Sequence, residues 1–100
     1  MSDRTPDFLA HRAGDAVAVA VRDLEVGPAQ GGFLDTSDTE KVDLAHAVPL
    51  GHKLALKDIP QGHAVIEYGL PIATATADIH RGDYVHIHNV RSSRWQTSVA

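Results

Sequence analysis

Apolar positions along this chain alternate with polar or small ones in short runs and never recur at helical spacing over a long stretch. Every fifteen-residue window contains β-branched residues or a glycine or proline break, which disfavours helix throughout. The clearest run is Ala16-Val17-Ala18-Val19-Ala20-Val21, whose alternation places the three valines on one strand face and the alanines on the other. Further strands are expected over 32–34, 41–44, 53–56, 65–68, 72–76 and 85–89. The polar run from Asp35 to Lys41 reads as an exposed hairpin tip or loop. The pattern therefore predicts an all-β domain with much irregular chain.

A short repeat punctuates these strands. Asp, an aliphatic residue, two variable residues and Gly recur as Asp23-Leu24-Glu25-Val26-Gly27, Asp58-Ile59-Pro60-Gln61-Gly62 and Asp78-Ile79-His80-Arg81-Gly82. A fourth copy, Val48-Pro49-Leu50-Gly51, lacks the acid. Each aspartate is expected to cap its own turn by accepting backbone N–H groups two or three residues on. The aliphatic residue would plug the core, and glycine would supply the positive φ that turns the chain into the next strand. The spacing is irregular, so these are turn modules within one domain and not a solenoid. They are expected to shape the fold and to carry no chemistry.

Composition narrows the function classes. One hundred residues allow one domain, and a chain of this size buries about 65% of its unfolded surface. That permits a core but makes a deep, self-contained cleft hard to build. Thirteen acidic against nine basic residues give a net charge of −4, which argues against nucleic-acid binding. The longest apolar run, Ala16 to Val21, is far short of the ~20 residues that cross a bilayer. The start, Met1-Ser2-Asp3-Arg4-Thr5-Pro6-Asp7, lacks the pattern of an export signal. Absence of cysteine removes disulfides, thiolate metal sites and thiol nucleophiles. A cytoplasmic domain without membrane or nucleic-acid partners is expected, and its seven histidines are the compositional oddity.

Three clusters carry candidate chemistry. In Asp83-Tyr84-Val85-His86-Ile87-His88-Asn89, strand alternation would send Val85 and Ile87 into the core and both imidazoles to the opposite face. Two such imidazoles suit a metal site for iron, manganese or zinc, a carboxylate substrate, or proton transfer; they also suit an ordinary polar strand face. In Pro49-Leu50-Gly51-His52-Lys53, lysine suits a substrate carboxylate and histidine an acid, base or ligand role. Alternation would turn His52 and Lys53 to opposite faces, leaving a solvated lysine and a hydrogen-bonded histidine as the plain alternative. Arg91-Ser92-Ser93-Arg94-Trp95 suits an anionic group, and Trp95 beside Arg94 suits a partner interface or a cover for the chain's own core. His11 and Asp15 bracket a turn, and Glu67-Tyr68-Gly69 reads as a strand end. His46, His63 and His80 sit in loops or turns without an assigned role.

Taken in order, Pro49-Leu50-Gly51-His52-Lys53, Ala55-Leu56, Asp58-Ile59, Val65-Ile66-Glu67-Tyr68-Gly69-Leu70-Pro71-Ile72, Ala75-Thr76, Ile79, Gly82 and Val85-His86-Ile87-His88-Asn89 resemble the SAF domain of the altronate/galactarate dehydratase family. Glu67 stands where many members carry lysine, and Ala73 where many carry glycine. The resemblance spans 9–95, leaving 1–8 and 96–100 as tails, and implies a β-clip fold. It implies, further, a small subunit that works with a larger catalytic chain in a hetero-oligomer. The implied reaction is metal-dependent elimination from a small 2-hydroxy acid. Loss of the C2 proton with water, from altronate or galactarate, or with sulfite, from 3-sulfolactate, gives an enol and then a 2-keto acid. On this reading His52, His86 and His88 are the catalytic candidates, and His86 and His88 also the ligands of a divalent metal, iron(II) or manganese, shared with the partner. Lys53, Arg91 and Arg94 would bind substrate, and Trp95 would meet the larger subunit. SAF-like domains also serve as non-catalytic carbohydrate-binding or assembly-chaperone modules, which is the reading from a different class.

Overall fold

Nine short strands form within residues 5–92, the part of the chain that the computed structural model describes. They are β1 (Phe8–Ala10), β2 (Val17–Ala20), β3 (Gly27–Phe33), β4 (Thr39–Leu44), β5 (Lys53–Ala55), β6 (Ala64–Glu67), β7 (Leu70–Ala75), β8 (Tyr84–Val85) and β9 (Val90–Ser92). Among the described residues there is no helix, and none is long and apolar enough to cross a membrane. Six strands form one sheet in the order β4-β3-β1-β2-β5-β8, and β6-β7-β9 form a second. All pairings are antiparallel except β1 with β3. The architecture is all-β and consistent with the β-clip expected from the sequence.

Two hydrophobic cores share the central strands. Phe8, Ala18, Leu44, Val48 and Leu54 belong to the first, and Val17, Ala55, Ile59, Val65 and Ile79 to the second. Because successive residues of a strand face opposite ways, β2 and β5 contribute to both and are buried on both faces. Ala18 and Ala20 face the first core and Val17 the second, while Val21, beyond the end of β2, is 36% exposed. Asp7 and Phe8, which the resemblance left in an N-terminal tail, are buried. The aromatic ring of Phe8 lies over Gly31, where any Cβ would collide with it, so the strand depends on a glycine the pattern did not mark.

The turn modules pair across the fold. Leu24 and Val48 exchange both backbone hydrogen bonds, at 2.8 and 2.9 Å, and Ile59 and Ile79 do the same at 2.7 and 2.9 Å. The aspartates therefore do not cap their own turns. Asp58 accepts from the Arg81 amide at 2.8 Å, Asp78 from the Gln61 amide at 2.9 Å, and Asp23 from the Leu50 amide at 2.8 Å. Each acid thus fixes the turn of its partner module. In three copies the residue after glycine closes the turn, His52 onto Pro49, His63 onto Pro60 and Asp83 onto His80. The exits of two of them open β5 and β8, which pair with Lys53 opposite Val85 and Leu54 opposite Tyr84.

Candidate functional site

That pairing assembles an aromatic cluster. His52 Nδ1 shares a 2.6 Å hydrogen bond with the Tyr84 hydroxyl. The rings of His52 and His86 lie 4.9 Å apart, His86 stacks on Tyr84 at 5.5 Å, and His88 lies 5.6 Å from the same ring. Three histidines from two distant segments thus gather around one tyrosine. Sequence reasoning missed Tyr84, although its position beside Val85 in an alternating run marks it for the face that carries the histidines.

The histidines reach this cluster by a different route from the one expected. Strand β8 ends at Val85, and residues 86–89 form a turn. Asn89, 7% exposed, holds it: its carbonyl oxygen accepts from the His86 amide at 3.0 Å, and its side-chain amide donates to the Tyr84 carbonyl at 2.8 Å. Ile87 consequently leaves the core and is 73% exposed. An asparagine that satisfies two backbone groups has overridden strand propensity here.

A groove of about 1290 Å³ opens beside the cluster, with walls from β5, β6, β7, β8 and β9. Its polar lining includes His52, Lys53, Glu67, His86 and Arg91. Val65, Leu70, Ile72, Val85 and Val90 supply much of the apolar lining. His52 and Lys53 therefore reach one groove despite their alternation. His88 touches Tyr84 but does not line the groove. Arg94 and Trp95 lie outside the described residues.

At the far wall Lys53 Nζ lies 3.4 Å from Glu67 Oε1, and His11 Nε2 lies 4.0 Å from Glu67 Oε2. Cations and imidazoles predominate over this one carboxylate, so the groove suits an anionic molecule with hydrogen-bonding groups. Among the described residues no three histidine or carboxylate side chains converge as a metal site. His86, at the groove, and His88, outside it, both neighbour the Tyr84 ring. Imidazole nitrogens suit iron or zinc, whereas manganese favours oxygen ligands.

Comparison with known proteins agrees with this architecture. The altronate/galactarate dehydratase SAF domain matches residues 6–93. The chain is 38% identical over 91 residues to the (2R)-sulfolactate sulfo-lyase subunit alpha of Chromohalobacter salexigens, covering 89% of this chain and 97% of that one. It is 41% identical over 64 residues to the corresponding subunit of Paracoccus pantotrophus, covering 61% of this chain and 90% of that one. It is also 45% identical over 86 residues to the altronate dehydratase of Escherichia coli, covering 86% of this chain but only 16% of that much longer protein.

Proposed function

Because the chain belongs to the altronate/galactarate dehydratase SAF domain family, we propose that it is the small, cytoplasmic subunit of a two-chain lyase acting on a 2-hydroxy acid. The observation that carries this reading is the groove, which brings His52, Lys53, His86 and Arg91 to one surface. Correspondence along nearly the whole length of a relative named as a separate alpha subunit supports a larger partner chain. The leaving group is water for a sugar acid such as altronate, or sulfite for 3-sulfolactate.

The residues divide by chemistry. Lys53 and Arg91 bind the substrate's anionic groups, with Arg94 as a further cation from the C-terminal segment. His52, its Nδ1 engaged by Tyr84, keeps Nε2 to hold or deliver the proton moved between C2 and the leaving group. A divalent ion, iron(II) or manganese, completed by the larger subunit and held here by His86 and His88, would supply charge stabilisation for the enolate that follows loss of the C2 proton. The exposed Ile87, at 73%, and Leu50, at 60%, flank these residues and suit burial against the larger chain, where Trp95 would add an anchor.

Reconstitution tests the reading. The chain is co-expressed with a larger catalytic subunit of the same family and assayed for loss of altronate or sulfolactate. The pair should turn over one of them, and His86→Ala with His88→Ala should lower the rate by at least about 100-fold while the two chains still co-purify. Full activity of that double variant would remove His86 and His88 from the site. Metal content of the pair, measured with both variants, separates ligation from proton transfer.

A further inference from the structure

The groove has a second polar end that the histidine cluster does not use. Glu67 ends β6, and its side chain is only 12% exposed. Its position is built with care. A bulge in β7 leaves Ile72 unpaired, between the pairs Val65 with Ala73 and Ile66 with Pro71, and such irregularities re-aim neighbouring side chains. A two-residue turn follows, in which Tyr68 and Gly69 both have positive φ, 57° and 74°. For tyrosine that conformation is unfavourable, and the surroundings hold it. Asp15, 2% exposed, accepts from the Tyr68 amide at 2.9 Å and the Gly69 amide at 3.3 Å. Arg12 lies 4.7 Å over the Tyr68 ring, and His11 meets that ring edge-on at 5.1 Å.

The result is a cation and a carboxylate side by side on the groove wall. At 3.4 Å, the Lys53–Glu67 contact is looser than the 2.7–2.9 Å of a charge-assisted hydrogen bond, so both groups keep capacity for a ligand. An anion that approaches Lys53 competes with Glu67 for the ammonium. A ligand carrying only an anionic group leaves the little-exposed carboxylate short of a donor, which is unfavourable. One that also carries a hydroxyl close to its anionic group returns a donor to Glu67. We propose that Glu67 is a specificity-determining residue, and that the Lys53–Glu67 pair reads an anionic group and a neighbouring hydroxyl of the same ligand. This inference rests on the groove being the ligand site proposed above.

The test uses acids that differ by one hydroxyl, lactate against propionate and glycolate against acetate, titrated into the full chain and followed by amide NMR shifts of Gly51, Val65 and Arg91. The wild-type chain should bind each hydroxy acid about tenfold more tightly than its partner acid. Glu67→Ala should bring that ratio close to one, Glu67→Gln should leave it at about threefold or less, and Lys53→Met should weaken all four acids. An unchanged ratio in both Glu67 variants overturns the proposal, as does the absence of any groove shift with any of the acids. Turnover by the two-chain enzyme is read separately. An inert pair whose small chain still discriminates overturns the lyase reading alone, whereas an active pair with no discrimination overturns only the role of Glu67.

Discussion

The two module clasps make a natural comparison, since one backbone device serves different ends in them. In each, two aliphatic residues exchange backbone hydrogen bonds and an aspartate fixes the opposite turn. The clasp of Ile59 and Ile79 is reciprocal, with Asp58 and Asp78 each serving the other's module. The clasp of Leu24 and Val48 has Asp23 alone, because Ala47 occupies the matching position. One module of each clasp ends in a strand that forms the site: Gly51 leads to His52 and Lys53, and Gly82 leads through Asp83 to Tyr84. The modules hold no chemistry themselves, but they set where it sits. A small all-β chain can in this way bring residues 52 and 86 together without a long loop.

The largest effect should come from the glycine that joins the two halves. Gly82 has φ 95°, and a Cβ there would collide with the Asp43 carbonyl, while its own carbonyl accepts from Ala45 at 3.0 Å. Gly62, at φ 88°, is conformationally alike but has nothing within 4 Å of an added Cβ. Gly82→Ala should therefore cost about 3 kcal/mol or more and Gly62→Ala about 1 kcal/mol, measured by urea denaturation. Equal losses would mean that strain alone matters at both turns and that the contact with β4 is dispensable.

A smaller effect separates packing from chemistry at the histidine cluster. Tyr84→Phe keeps the ring that stacks on His86 and packs on the first core but removes the hydroxyl bonded to His52. Stability should fall by about 1 kcal/mol, and turnover of the two-chain enzyme by about tenfold. Loss of stability with an unchanged rate would reduce Tyr84 to a structural support.

Sequence reasoning recovered what depends on local pattern and missed what depends on distant partners. The repeat was visible, and so were β2, β5 and the polar turn between β3 and β4, although Thr39, Glu40 and Lys41 of the expected loop belong to β4; alternation and turn chemistry are local. The crossed use of Asp58 and Asp78 was hidden, since an aspartate looks the same whether it caps its own turn or another. Of β3 only the end, 32–33, was marked, because Gly27–Phe33 is rich in glycine and its register rests on Phe8 lying over Gly31. His86 and His88 stood out by residue type, yet Asn89 ends the strand there and gives them a turn geometry. Glu67 read as a strand end because the Asp15 clamp that fixes the turn after it joins residues more than 50 positions apart.

The smallest expected effect asks whether the two clasps are equivalent in geometry. In every observed case the carboxylate preceding an aliphatic residue accepts from the amide two residues beyond the opposite aliphatic: Asp23 from Leu50, Asp58 from Arg81, and Asp78 from Gln61. The same rule directs an aspartate at position 47, before Val48, to the amide of Val26. Ala47 is exposed, so Ala47→Asp adds a charge in water without displacing core. If the rule holds, the variant should gain about 0.5–1 kcal/mol in urea denaturation, the ordinary contribution of one such cap. The competing consideration is that Gly27, at φ 129°, begins β3 directly, whereas the other modules close a turn after their glycine. A neutral or destabilised Ala47→Asp would show that this different exit turns the Val26 amide away, and that the first clasp lacks its second acid because its geometry has no use for one.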